Sequence, residues 1–198
     1  MTDKDWRLVG YIFLGALVAV VGGIVVFGKN PIDVIGDWVA ILTTTEETRL
    51  QQLEPSTQAA ARGLINALSL DGIEVQVGQT LRTRAQEKQV IDEGKSGVKT
   101  YSWHEIGRAL DLYPVDPETG KVDLDGRNTE LFLRMHLRAR DYGFRGIAFD
   151  EAGFKTYITN KYGKRIWDGG HLQFQGPYAN ISQAVAAEGS NYGITRTT

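Results

Sequence analysis

The chain contains no cysteine, which excludes disulfides and any zinc site built from thiolates. Histidine is scarce as well: the 198 residues include only three, at positions 104, 136 and 171. A transition-metal site must therefore draw on those imidazoles and on carboxylates. An excess of one charge is also missing, since 22 Lys and Arg stand against 24 Asp and Glu, for a formal charge of −2. No basic stripe interleaved with aromatics occurs, which argues against a nucleic-acid partner. With 42% hydrophobic residues the length suffices for one full core, and for one only once the N-terminal stretch is set aside.

That stretch is the longest apolar run. Residues 8–27, from Leu8 to Phe27, carry no charge. About twenty residues at about 1.5 Å each match the roughly 30 Å hydrocarbon core of a bilayer. The run ends Val26-Phe27-Gly28-Lys29, without the small-x-small cleavage site of a secretory signal. It predicts a retained transmembrane helix, with Trp6 and Tyr11 at the interface. Lys4, Arg7 and the terminal amine precede the run and Lys29 follows it, so the positive-inside rule predicts a cytoplasmic N-terminus and an exported C-terminal domain. The organisation read from this is an anchor at 1–28, a linker at 29–44 broken by Pro31 and Gly36, a folded domain at 45–175, and a tail at 176–198 rich in Gly, Ser, Thr and Asn, with a short helix expected at Ile181 to Ala187.

Within the domain, Thr43 to Thr45 before Glu46-Glu47 read as a helix N-cap with acids in the first turn. Pro55 opens a helix to Leu70, with Ala60, Leu64, Ala67 and Leu68 at helical spacing and Asp71-Gly72 as its stop. Ile73, Val75 and Val77 alternate with polar residues as a half-buried strand does. Thr83 to Glu93 reads as a helix ended by Gly94. Thr129 to Asp141 is amphipathic, and His136 inside it lacks any metal-binding context, which makes it a structural or surface residue. Asp116, Asp123 and Asp125 lack the spacing of a calcium loop and read as a solvated excursion. Residues 150–165 fit either a flap beside a groove or a surface hairpin.

Chemistry concentrates in Ser102-Trp103-His104-Glu105-Ile106-Gly107-Arg108-Ala109-Leu110-Asp111. Gly107 and the apolar run after it predict a turn entering a strand, which can fold an imidazole and a carboxylate onto one point. Such a pair is two-thirds of a catalytic zinc site, which keeps three protein ligands and one open position. The candidate third ligand is His171, and Asp168, three residues before it, is a spare carboxylate that could serve as a base.

The pattern S-x-H-x-x-G-x-A-x-D, filled by Ser102, His104, Gly107, Ala109 and Asp111, resembles the signature of the zinc D-Ala-D-Ala carboxypeptidase family, which includes the vancomycin-resistance dipeptidases and the L-alanyl-D-glutamate endopeptidases of bacteria and phages. Asp168 to His171 is similar to its downstream acid-x-x-His element, and Leu81-Arg82-Thr83 with the following helix and glycine is similar to its upstream element. The resemblance implies an α+β fold, a small mainly antiparallel sheet with packed helices of the hedgehog/DD-peptidase kind. It implies Zn²⁺ on His104, Asp111 and His171, with Asp168 as general base and then acid. It implies Arg82 for the oxyanion or a substrate carboxylate, Ser102 fixing a ligand from behind, and Trp103 and Trp167 as groove walls. The substrate implied is the peptidoglycan stem peptide. The Asp at 168 and the compact domain point to the endopeptidase branch, acting as an endolysin tethered to the bacterial inner membrane. A D-Ala-D-Ala carboxypeptidase or dipeptidase and a non-catalytic wall-binding module are the alternatives. Gly10, Gly15, Ala16, Ala19, Gly22 and Gly23 leave two readings of the anchor open: close helix packing, or a weakly held segment that resembles the signal-arrest-release anchors of some phage endolysins.

Overall fold

The computed structural model describes residues 46–98 and 100–194. The transmembrane helix expected at 8–27 and the linker at 29–44 lie outside the described residues. Among the described residues no helix is long and apolar enough to cross a membrane. A short helix α1 (Glu46–Leu50) leads to α2 (Pro55–Leu70), whose first amides are capped by the Glu54 carboxylate, accepting from Ser56 N at 3.1 Å and Thr57 N at 3.0 Å. The acid at that position also suits the helix dipole. One stripe of α2, with Ala61, Leu64 and Leu68, is fully buried.

Strand β1 (Val75–Val77) follows, then helix α3 (Arg84–Asp92), which opens on a capping box between Thr83 and Gln86. A 3-10 helix, Trp103–Ile106, precedes strand β2 (Ala109–Pro114), and α4 (Thr129–Asp141) precedes β3 (Phe144–Gly146). A separate hairpin pairs β4 (Ile158–Thr159) with β5 (Arg165–Ile166). Strand β6 (His171–Phe174), helix α5 (Ile181–Glu188) and a last 3-10 turn, Gly189–Tyr192, complete the order. The main sheet runs β1-β2-β6-β3 and every pairing in it is antiparallel. The architecture is α+β, as expected.

The two-residue period of a strand divides the sheet into two kinds of face. Leu110 and Leu112 of β2 and Leu172 of β6 point into the core, against Leu64 and Leu68 of α2 and Phe132 and Met135 of α4. Burial of each such side chain contributes about 1.5–3 kcal/mol. Asp111, between the two leucines, points the other way. It stands directly across from His171, just as Leu110 stands across from Leu172.

The tail drawn at 176–198 is packed structure for as far as it is described, to residue 194. Ala184 and Val185 of α5 form a second apolar cluster with Trp103, Ile106 and Ala109. Arg108, buried, donates twice to Glu188 (Nε to Oε2 at 2.8 Å, Nη2 to Oε1 at 2.7 Å) and its guanidinium lies over the Tyr178 ring. The Asp cluster of the 114–126 excursion is taken up by backbone: Asp116 accepts from the amides of Glu118 and Thr119, and Asp123 from those of Arg127 and Asn128.

Candidate metal centre

Two local devices bring His104 to the sheet. Ser102 Oγ accepts from His104 N at 3.3 Å and Glu105 Oε2 accepts from Ser102 N at 2.8 Å, a capping box that starts the 3-10 helix. Gly107 ends that helix at φ 63°, and a Cβ there would sit 2.9 Å from Glu54 N. Only glycine meets both the left-handed backbone and the close approach, which accounts for the glycine in the motif. Ser102 thus fixes the backbone carrying a proposed ligand rather than the ligand's ring. The segment before Arg82 is zipped to both halves of the site: Asp111 N donates to Gln79 O at 2.8 Å, Gly78 N to Asp111 O at 2.7 Å, and Arg82 N to His104 O at 3.1 Å.

The side chains of His104, Asp111 and His171 then converge. His104 Nε2 lies 3.2 Å from His171 Nδ1 and 3.3 Å from Asp111 Oδ1, and His171 Nδ1 lies 3.6 Å from the same oxygen. All three residues are buried or nearly so. The tautomer of His104 follows from its other side, where Nδ1 faces the carbonyl oxygen of Thr80 at 2.5 Å. A carbonyl can only accept, so Nδ1 carries the proton and Nε2 of the neutral ring presents a lone pair to the cluster. Lone pairs and a carboxylate oxygen crowded this closely repel one another unless a cation sits among them. Four-coordinate zinc, with bonds of about 2.0–2.2 Å, separates its ligands by about 3.3 Å, and the three distances fit that edge length. The donor set of two imidazoles and one carboxylate suits zinc as well.

With no ion present, a proton on His171 would stand in for the cation beside Asp111. Burial raises the Asp111 carboxyl, but His104 and then His171 outweigh it and hold the group well below the ordinary carboxylate range. His171 is raised: burial works against its proton, and the bond to Asp111 and the charge of Asp168 prevail. Asp168 itself is raised, chiefly by burial, with Asp111 adding and His171 opposing. Around the cluster stand three carboxylates (Glu87, Asp111, Asp168) and one guanidinium, Arg82. Carboxyl groups outnumber the one guanidinium there, which suits a cation site.

The remaining residues picked from sequence are distributed around this point. Asp168 and Arg82 line a cleft of about 250 Å³ together with His104, His171 and Trp103. Trp103 is nonetheless mostly buried in the second apolar cluster. Trp167 is half-buried against the main core, donates to Ala148 O at 3.1 Å, and borders a neighbouring depression with Asp168. Arg82 is spent in part inside the site, donating to Asp111 Oδ2 at 3.2 Å and Glu87 Oε2 at 3.1 Å. Two participants were missed, Glu87 and Tyr113, while His136 is the structural histidine the sequence allowed. Glu87 sits in a polar helix, where nothing local marks it as buried. Tyr113 lines an adjoining depression with Asp111 and Asp168, its hydroxyl raised by burial and then by those two carboxylates. His136 is buried and donates through Nε2 to the carbonyl of Gly169 at 2.7 Å, next to Asp168.

No family model matches the chain. In sequence it is similar to the L-alanyl-D-glutamate peptidase of Listeria phage A118, 30% identical over 125 residues. The match takes in 58% of this chain and 43% of that protein, so the chain spans less than half the length of this relative. Among solved structures, the L-Ala D-Glu endopeptidase ChiX of Serratia marcescens aligns at 19% identity over 67% of this chain and 87% of that one, with a TM-score of 0.45. The LD-carboxypeptidase LdcB aligns at 15% identity over 71% and 68%, also at 0.45. The vancomycin-resistance D,D-pentapeptidase VanY, solved in complex with Zn(II), aligns at 16% identity over 72% and 84%, at 0.42.

Proposed function

We propose that this chain, which belongs to the zinc D-Ala-D-Ala carboxypeptidase and L-alanyl-D-glutamate endopeptidase family by its motifs and its phage relative, is a zinc peptidase of peptidoglycan stem peptides. Its bond is the one between L-alanine and D-glutamate, and its setting is that of a phage or prophage endolysin. The domain is tethered by residues 8–27, with the N-terminus in the cytoplasm and the catalytic domain outside the inner membrane. The observation that carries the reading is the convergence of His104 Nε2, His171 Nδ1 and Asp111 Oδ1 within 3.6 Å, beside a spare acid and a cleft.

Zinc, when bound, supplies a Lewis acid that polarises the scissile carbonyl and lowers the pKa of the attacking water to about 7. His104 and His171 contribute neutral nitrogens and Asp111 a negative charge. Asp168 takes the water's proton and passes it to the leaving amine; a carboxyl raised by burial holds a proton longer than a solvated one and is the better acid–base shuttle near neutral pH. Arg82 steadies Asp111, and its unspent N–H groups are the donors at hand for the oxyanion. Trp103 and Ile158 help close the cleft to bulk water.

The test is metal analysis of the purified chain, paired with digestion of a defined muropeptide. The expected outcome is about one zinc per chain and a new N-terminus at D-glutamate, both abolished by His104→Ala. Release of terminal D-alanine alone would reject the bond assignment, and lysis indifferent to chelators would reject the zinc mechanism.

A further inference from the structure

Helix α3 is anchored in an unusual way. Its one buried residue is Glu87, fully enclosed, while its apolar side chains Val90 and Ile91 are only partly covered. Burying a carboxylate costs several kcal/mol unless it is paired and hydrogen-bonded, and a well-packed apolar residue would often hold a helix as well or better. The partners explain the placement. Oε2 of Glu87 accepts from Arg82 Nη1 at 3.1 Å, and Oε1 accepts from Ser96 Oγ at 3.2 Å. Through its other terminal nitrogen, Arg82 donates to Asp111 Oδ2 at 3.2 Å, the oxygen turned away from the two imidazoles. Ser96 is itself buried, caps the amide of Val98 at 3.1 Å, and lines the cleft.

We infer that Glu87 is a positioning residue for the metal centre: it fixes the Arg82 fork so that Asp111 presents Oδ1 to the ion, and through Ser96 it ties the cleft-lining loop to the same frame. The inference rests on the zinc reading given above. A planar guanidinium is suited to the task because it bridges two carboxylates from two different nitrogens, where a lysine offers one point of charge. Removing the Glu87 charge acts in one direction through two routes. Arg82, freed from one carboxylate, draws harder on Asp111 and competes with the ion, and the site loses negative charge that favours a cation. Outer partners of metal ligands typically set about 10–100-fold in affinity.

The experiment measures Co²⁺ and Zn²⁺ affinity of the detergent-solubilised full chain by competition with a chromophoric chelator, with no substrate present. Glu87→Gln, which keeps the shape and can still hydrogen-bond, should bind metal about tenfold more weakly than wild type, toward the low end of that range. Arg82→Lys should weaken it comparably. The double variant should lose little more than either alone, because both changes break one linkage. Wild-type affinity in a folded Glu87→Gln, or full additivity in the double variant, overturns the inference alone. Absence of metal binding by the wild type overturns the zinc reading and takes this inference with it. If Glu87→Gln does not fold, Ser96→Ala carries the test: a loss of about threefold supports the linkage, and no change overturns it.

Discussion

The buried histidine behind the site makes a quantitative prediction possible. Gly146 of β3 faces the His136 ring so closely that a Cβ built there would overlap Nδ1 and Cε1. Its backbone is ordinary, with no positive φ, so Gly146→Ala meets no torsional objection and the whole effect is steric. The ring cannot yield freely: it is buried, stacked edge-on against Phe149 at 5.2 Å, and held by its bond to Gly169 O. Forcing a methyl into a packed interior costs about 1–3 kcal/mol, and losing the hydrogen bond adds about 1 kcal/mol. The sum of about 2–4 kcal/mol should lower Tm by about 5–15 °C for a domain of this size. Thermal melts and urea titrations of the metal-free protein read it directly. The control is His136→Ala, in whose vacated space the new methyl fits, so the double variant should be more stable than the two single losses predict by about 2 kcal/mol. An unchanged Tm for Gly146→Ala, or an equal loss with and without the imidazole, would refute the reasoning. Because Gly169 adjoins Asp168, turnover of a muropeptide should also fall in Gly146→Ala.

Four further outcomes are expected. Asp168→Asn should lower kcat on a muropeptide by about 10²–10⁴ while Co²⁺ affinity stays within about tenfold, measured in the same preparation. His171 is raised above its usual value, burial opposing and the bond to Asp111 and the charge of Asp168 prevailing, so protons compete with metal there before they would at an ordinary histidine; loading should fall on acidification, and undiminished loading at about pH 4, well below the usual histidine range, would contradict the ligand assignment. His136 is lowered from 6.5 to about 4 by burial, so the unfolded chain takes up a proton that the folded chain refuses. Its contribution is fully present above about pH 6.5 and lost on the way down to about 4, roughly 3 kcal/mol in all, and His136→Ala should flatten that part of the stability–pH curve. Glu188→Ala strands the buried Arg108 guanidinium with Glu54 at 3.6 Å as its remaining carboxylate; a loss of about 2–3 kcal/mol is expected by denaturant titration, and Glu188→Gln should cost less.

Much of the site was legible because its logic is local in sequence. A serine, a histidine, a glycine and an aspartate within ten residues encode cap, ligand, left-handed turn and second ligand, and their spacing alone marks the motif. The long helices were legible for the same reason: Pro55 at the start of α2 and the apolar spacing that follows it act within a few residues, as intrinsic preference requires. What escaped was whatever depends on distant partners. Glu87 lies among Arg84, Gln86, Lys88 and Gln89, so periodicity assigns it to solvent, and only the fold brings Arg82 and Ser96 to it. Arg108 and Glu188 are eighty positions apart, and nothing in the Gly- and Ser-rich segment around α5 announces that it docks. His136 gave no sign of its partner because a backbone carbonyl, that of Gly169, has no sequence identity to recognise.

The cross-strand pairing of Asp111 with His171 has a consequence for assembly. A slip of β6 by one position would turn His171 to the leucine-lined side and offer Leu172 where an imidazole belongs. Such a mispaired chain could still bury apolar surface, yet it would hold too few donors to retain an ion. An ion held by His104, Asp111 and His171 would bind the correct alignment and not such a near-miss, and would favour it by mass action.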